Sequence, residues 1–310
     1  MSSLLSTVRK GRWFVPDAVM DTPGGLIALK RFFHAAAFAA NSPDYILVNA
    51  QSVFDDMLTP DRQRWSPEAA DYFGVHVPIT PPHPRMWIEA HTGGQRLACI
   101  LNRFRYSDDE WVGNAGTELV DEIRSDNPHW VVTCLTLLEH GGSASFGAQH
   151  MIWLDAKGCF IRSLRLCGER GETEEGRKIN TAVFRLHTAF IVHTLARFNC
   201  ANVQLKAVDG QQRNTRHAGN GAPRGTIWRT IVVRDLRNQR PPHKNKSAGV
   251  ELRSHWVRGH YADYTAGAGL FGNASLRGVF WMPEHRRGNS DAGEVIADYR
   301  LAASSQGERR

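Results

Sequence analysis

Residues 130–166 read WVVTCLTLLEHGGSASFGAQHMIWLDAKGCFIRSLRL, and this stretch decides the fold. The run from Trp130 to Glu139 is almost continuously apolar, and shorter apolar runs cover 150–155 and 159–166. Residues 155–158 (DAKG) join the two shorter runs and have the composition of a hairpin turn with a glycine near its end. Strands joined by so short a turn pair antiparallel, so the stretch predicts an antiparallel sheet.

Further strands are predicted on both sides of this stretch. Upstream they cover Met86–Ala90 and Gln95–Tyr106, and downstream one covers Ile227–Leu236. The apolar residues from Tyr45 to Met57 fit either a helix or a strand.

Two amphipathic helices are predicted by apolar residues that recur every three or four positions, one from Gly25 to Ala40 and one near 174–200. Together these elements predict an α+β fold, a mainly antiparallel sheet with packed helices. The fold would include the long helix near 174–200 and a C-terminal β-hairpin.

Residues 209–225 have turn composition throughout and no apolar period, which predicts a flexible loop or linker. The sequence then divides into an α+β core over 1–208, a basic C-terminal β region over 226–290 and a polar tail over 291–310. The C-terminal strands are too few to bury a core alone, so we expect them to pack on the first part.

Basic residues are concentrated towards the C-terminus. Between Arg213 and Arg258 there are eleven Lys or Arg residues and two acids, whereas the whole chain carries a formal charge of +7, so the remainder is slightly acidic. A local basic surface of this kind indicates an anionic partner.

Between Arg240 and Gly288 these charges are interleaved with His and aromatic residues at β-type spacing. In one extended strand, residues two apart share a face, which places Trp256, Arg258 and His260 together. A return strand is predicted over 278–285, with Pro283 at an edge or ending it. The predicted nucleic-acid-binding residues are Arg240, His243, Lys244, Lys246, Arg253, Trp256, Arg258, His260, Tyr261 and Tyr264.

Three interpretations of this stretch compete. In the structural one, the hairpin's Trp and Phe pack a core while Arg and His lie at a solvated rim. In the second, Lys and Arg contact phosphates while aromatic rings stack on bases. In the third, His255 or His260 acts as acid or base and Arg258 holds a phosphate during metal-independent RNA cleavage. No family-specific motif supports catalysis, so we favour binding and leave enzymatic activity open.

No metal or cofactor is predicted. His255 and His260 are five residues apart, which puts them on opposite faces of a strand, and no Cys lies near them. The sequence has no Walker loop, no G-x-G-x-x-G between a strand and a helix, and no H-E-x-x-H motif.

The cysteines and the hydropathy pattern indicate the cytoplasm and no membrane partner. The five Cys residues include no C-x-x-C pair, as expected of reduced thiols. Residues 2–10 contain no apolar run of signal-peptide length, and no later run reaches the ~18 apolar residues of a membrane span.

Part of the Arg240–Gly288 stretch resembles a known family. The pattern R-P-x-H, then H-x-x-R-G-H-aromatic-x-x-Y, then W-x-P is similar to the C-terminal region of the type V anti-CRISPR family that lowers production of the Cas twelve nuclease. The residues that carry it are Arg240, Pro241, His243, His255, Arg258, Gly259, His260, Tyr261, Tyr264, Trp281 and Pro283. The strand Met86–Ala90, after a Pro-rich lead, also looks similar, whereas the Gly/Ala-rich insertion Thr265–Leu276 departs from the pattern.

The resemblance implies a phage or plasmid protein that acts in the cytoplasm of a bacterial host. It implies an anti-CRISPR-like regulator that recognises the nascent chain of a CRISPR nuclease in its translation complex and causes loss of the nuclease mRNA. Its partners would be RNA or a ribosome–nascent-chain complex, and the CRISPR nuclease polypeptide. The alternatives are a metal-independent ribonuclease and a general RNA-binding protein.

Overall fold

The computed structural model describes residues 3–14, 23–58, 77–92, 95–107, 128–165, 174–208, 227–236, 253–257, 259–287 and 289–294. Two compact units divide the chain, Met1–Asp235 and Leu236–Arg310. The predicted linker 209–225 lies outside the described residues, as do residues 295–310 of the predicted polar tail 291–310. Residues 291–294 of that tail belong to a strand.

The first unit is built on a mixed sheet. Among the described residues it has eight strands in the order β6-β5-β4-β3-β2-β1-β8-β7. These are β1 Ile46–Asn49, β2 Arg85–Thr92, β3 Gln95–Arg105, β4 Trp130–His140, β5 Ser143–Leu154, β6 Phe160–Arg165, β7 Val203–Ala207 and β8 Trp228–Val233. The predicted class, α+β with a mostly antiparallel sheet, is confirmed.

Strands β2 to β6 form a continuous antiparallel meander. Three of its four connections are short, whereas residues 106–129 lie between β3 and β4. Gly141 and Gly142 connect β4 to β5, both with positive φ, as a type I′ hairpin turn requires. Between β5 and β6, Asp155 Oδ1 accepts hydrogen bonds from the backbone N–H groups of Lys157 and Cys159, both at 2.8 Å. The sequence had predicted this second turn at 155–158.

Strand β1 breaks the antiparallel pattern, because it pairs parallel with both β2 and β8. The apolar stretch from Tyr45 to Met57, which fitted either a strand or a helix, contains one of each. Strand β1 comes first and helix α3 follows it. Strand β8, which the sequence grouped with the C-terminal β region, lies between β1 and β7 in this sheet.

Helices pack on both faces of the sheet. They are α1 Leu4–Arg9, α2 Pro23–Asn41, α3 Gln51–Leu58 and α4 Glu174–Phe198. The first two share a buried cluster with one face, which includes Phe32 of α2, Trp87 of β2 and Leu137 of β4. Helices α3 and α4 meet through Phe54 and Phe190, whose ring centroids are 5.4 Å apart.

Helix α1 begins on a buried carboxylate. Glu89 of β2 accepts hydrogen bonds from the backbone N–H of Leu4 at 3.3 Å and of Leu5 at 2.6 Å, and from Trp87 Nε1 at 2.9 Å. Burial raises the pKa of Glu89, and these hydrogen bonds partly offset the shift. The carboxylate satisfies N–H groups that have no partner within the helix.

A His–Thr network joins α4 to the other face of the sheet. Gly147 is the extra residue of a β-bulge in β5, opposite Thr136 of β4. The Thr136 hydroxyl bonds to both backbone groups of Ala148 and lies 3.2 Å from Nδ1 of His187 on α4. Burial lowers the pKa of His187 to about 4, so at neutral pH this ring is neutral.

The second unit consists of short strands, β9 Arg253–Val257, β10 His260–Asp263, β11 Val279–Met282, β12 His285–Arg287 and β13 Asn289–Glu294. Strand β10 pairs antiparallel with β11, and β9 pairs antiparallel with β12 and parallel with β13. Phe280 and Trp281 of β11 are buried, together with Leu270 from the connecting loop.

Candidate nucleic-acid interface

The structure describes the predicted site residues to different depths. Arg240, His243, Lys244, Lys246 and Arg258 lie outside the described residues. For Arg253, His255 and Trp256 it gives the backbone of β9 and its pairing. The side chains of His260, Tyr261 and Tyr264 are described in full.

The single extended strand expected to hold Trp256, Arg258 and His260 is two strands. It divides between Val257 and His260, and its halves belong to different sheets, with His255 on β9 and His260 on β10. The pairing of His260 with Met282 and of Val257 with His285 places Gly259 opposite Pro283. Proline has no N–H to donate, so the ladder is interrupted there although its register continues.

This division bears on the candidate catalytic and metal-binding histidines. The Gly259–Pro283 position interrupts the ladder between the two His residues, while the continued register keeps them five residues apart along the same hairpin arm. Within the described part of the chain, no group of three or more His, Cys, Asp or Glu side chains is placed to hold a metal ion.

The returning strand β12 brings exposed basic side chains to the predicted site. His285, Arg286 and Arg287 are all exposed, as is His260 on β10. By register, Arg286 pairs with Trp256 and Arg287 pairs with His255. We call His260, His285, Arg286 and Arg287 the hairpin basic surface.

Three members of this surface were missing from the residues predicted from sequence. The signal was present in the run His285-Arg286-Arg287, but only the pairing of β12 with β9 connects it to Trp256 and His255. Sequence spacing relates residues within a strand, whereas cross-strand neighbours depend on register.

Aromatic pairs support the hairpin from within. Tyr261 meets Trp281 edge-on with ring centroids 4.8 Å apart, and Tyr264 meets Phe280 in the same manner at 6.0 Å. Trp281 and Phe280 are buried, whereas the two Tyr side chains are half-buried. Phe280 and Trp281 therefore pack inside the unit, whereas Tyr261 and Tyr264 pack against them and remain partly accessible to solvent.

The Gly/Ala-rich insertion folds back on itself. Leu270 is buried within it, and its N–H donates to the carbonyl oxygen of Leu276 at 2.9 Å. Gly269 has φ 82°, and a Cβ there would lie 2.0 Å from the carbonyl oxygen of Asn273. At the base of the loop, Thr265 donates two hydrogen bonds to Asp263, which lower the pKa of that carboxyl.

No protein-family model, curated protein or solved structure matches this chain. Among the helices of the described residues, none is both long enough and apolar enough to cross a membrane.

Proposed function

We propose that the protein binds RNA through the hairpin basic surface, with the neighbouring predicted residues of β9 and β10 completing the interface. The single observation that carries this proposal is β12, a strand whose three consecutive residues are basic or His and all exposed. It pairs with the strand that holds His255 and Trp256. Exposed guanidinium groups beside aromatic residues suit contact with a phosphate backbone and unstacked bases.

The resemblance to the type V anti-CRISPR family supports a more specific proposal. In it the protein is a mobile-element regulator in a bacterial cytoplasm that lowers expression of a CRISPR nuclease. It recognises the nascent chain in the translation complex, and the nuclease mRNA is lost. The RNA-binding surface would then contact the mRNA or the ribosome, while another part of the chain contacts the nuclease polypeptide.

We favour binding over cleavage because no family-specific motif in the sequence supports catalysis. The catalytic alternative needs only His255 or His260 as acid or base, with Arg258 holding the phosphate. The ribonuclease alternative is tested by incubating the protein with RNA in the presence of a chelator. Cleavage that His260→Ala abolishes would favour the enzyme, whereas intact RNA supports the binder.

The binding test uses the full chain and a fluorescent single-stranded RNA, with affinity measured by anisotropy as salt is varied. The double variant Arg286→Gln/Arg287→Gln should bind more weakly, and its salt slope should fall by about 1.4, since each lost phosphate contact removes about 0.7. The matched control is Lys206→Gln/Arg234→Gln, which removes two exposed charges from β7 and the end of β8 in the other unit. An unchanged slope in the hairpin variant, or an equal change in the control, would contradict the proposed interface.

The regulatory proposal needs a cellular test. Affinity capture from bacteria that express the protein and a CRISPR nuclease, with sequencing of both RNA and protein, should recover the nuclease mRNA and its nascent chain. Capture of RNA without enrichment of that message would leave a general RNA-binding protein and contradict the anti-CRISPR role.

A further inference from the structure

A second basic surface lies in the first unit, at one end of the central strands. It is an open groove of about 620 Å³, lined among others by Arg85 of β2, Arg103 and Arg105 of β3, Trp130 of β4, and Asp44. We call Arg85, Arg103 and Arg105, with Trp130, the arginine groove. None of these residues belongs to the C-terminal stretch.

Two guanidinium groups share one indole ring in this groove. The Cζ atoms of Arg103 and Arg105 lie 4.9 Å and 5.4 Å from the centroid of Trp130. The arrangement follows from the sheet, because Arg105 pairs directly with Trp130 and Arg103 is two residues along the same strand. A guanidinium that stacks on an aromatic ring keeps its N–H edge available for an oxyanion.

Among the described residues that line the groove, the arginines outnumber the acids. Arg85 pairs with Asp44 at 2.8 Å, but within the described part of the chain neither Arg103 nor Arg105 has a carboxylate within ion-pair distance. Burial and then the charge of Arg105 lower the pKa of Arg103. The pKa of the adjacent His83 is also lowered, by burial and then by the charges of Arg229 and Arg103. Like charges held this close favour the arrival of an anion, which would relieve their repulsion.

The site is held in place by its surroundings. Nη1 of Arg103 donates to the carbonyl oxygen of Pro81 at 2.6 Å. The backbone N–H of Arg103 donates to the carbonyl oxygen of Pro84 at 2.8 Å. Both acceptors belong to the Pro-rich segment before β2, where proline limits the backbone's freedom. The guanidinium of Arg103 is thus ordered before any ligand arrives, which lowers the entropic cost of binding.

We propose that the arginine groove binds the phosphodiester backbone of single-stranded RNA. The Cα atoms of positions i and i+2 lie about 6.6 Å apart along a strand. Both guanidinium groups stack on Trp130, so together they can contact adjacent phosphates or two oxygens of one phosphate. The exposed ring of His129 lies 5.2 Å from Trp130 and provides an aromatic edge for a neighbouring base. The groove is open to solvent, so an RNA strand has access to its arginines. RNA binding by the arginine groove does not require that the hairpin basic surface also binds RNA.

The test uses the full chain and a fluorescent single-stranded RNA of twelve nucleotides. Arg103→Gln/Arg105→Gln should weaken binding about tenfold at low salt and reduce the salt slope by about 1.4, the equivalent of two phosphate contacts. Arg103→Lys/Arg105→Lys should restore the slope but only part of the affinity, because lysine keeps the charge and loses the planar fork. Lys206→Gln/Arg234→Gln serves again as the control with two charges removed.

Several outcomes would overturn the proposal. One is a Gln variant whose affinity and slope match those of the unaltered protein or of the control. Another is competition by a mononucleotide or inorganic phosphate at the same phosphate concentration as the RNA, which would indicate a small-anion site. If the double variant unfolds, the single variant Arg105→Gln replaces it. Arg105 is exposed, and the hydrogen bond to Pro81 is made by Arg103, so this change leaves that bond intact. The single variant should lower the slope by about 0.7, and no change would overturn the groove.

The groove and the hairpin can fail separately. Loss of RNA binding in the groove variant with none in Arg286→Gln/Arg287→Gln would support the groove and contradict the hairpin interface. The reverse result would overturn the groove and leave the hairpin interface intact.

Discussion

Tyr261 and Trp281 face each other across the hairpin of the C-terminal unit. They are directly paired in the β10–β11 ladder, and their rings meet edge-on with centroids 4.8 Å apart. Trp281 is 5 % exposed, so the pair joins the packed side of the hairpin to a half-buried Tyr at its surface. An aromatic pair of this kind stabilises the antiparallel ladder beyond the area that it buries.

Trp281→Ala should therefore loosen the hairpin. Removing a buried Trp costs about 3–5 kcal/mol, enough to open a short two-stranded ladder. Hydrogen exchange of the full chain should become faster in peptides that cover 260–263 and 279–282. Trp281→Phe is the control, since it retains a ring and should retain most of the protection. Equal protection in the Ala variant and the unaltered protein would contradict this role for the ring.

Gly147 should not tolerate a side chain. A Cβ there would lie 2.7 Å from the Thr136 hydroxyl and 3.4 Å from Cε1 of His187. Gly147→Ala should lower the free energy of unfolding by about 1–3 kcal/mol through overpacking, measured by urea denaturation. In the double variant with Thr136→Ala the two losses should be less than additive, because the clashing hydroxyl is gone. Additive losses would mean that the hydroxyl contact is not the cause.

Stability should fall as the solution is acidified, in part because of His187. Its folded pKa of about 4 is lower than the usual 6.5, so the unfolded chain takes up the proton first. The contribution is present in full above about pH 6.5 and is lost as the pH falls towards 4, with an upper limit of about 3 kcal/mol. Urea midpoints between pH 7.5 and 4.5 should show a shallower decline for His187→Gln than for the unaltered protein. Parallel curves would show that His187 titrates normally in the folded state.

Glu89→Gln should destabilise the junction of α1 with the sheet. The carboxylate accepts from three N–H groups, and an amide offers one oxygen and adds an N–H that would face these donors. The loss should be about 1–3 kcal/mol, the cost of a buried donor without an acceptor, although neutralising the buried charge offsets part of it. Thermal or urea unfolding measures it, with Glu139→Gln as the control, since Glu139 forms an ion pair with Arg96 at 3.4 Å. A loss no larger than that of the control would argue against the capping role.

The sequence by itself determined that the meander strands form and where the turn between β5 and β6 lies. Apolar runs marked β2, β3, β4 and β6 within a few residues, and 155–158 carried the turn chemistry between β5 and β6, because these signals are local. Strand β5 begins at Ser143, seven residues before the predicted run 150–155. Charge counting likewise found the basic C-terminal region, since composition does not depend on the fold.

Only the tertiary structure decided which distant segments became neighbours. The parallel placement of β1 between β2 and β8 pairs segments far apart in sequence, and no local pattern encodes such a partner. The same reason separates His255 from His260 at the Gly259–Pro283 position, and brings β12 beside β9. The arginine groove exists because the β3–β4 register sets Arg105 opposite Trp130. A shift of one residue would have turned these side chains to opposite faces of the sheet.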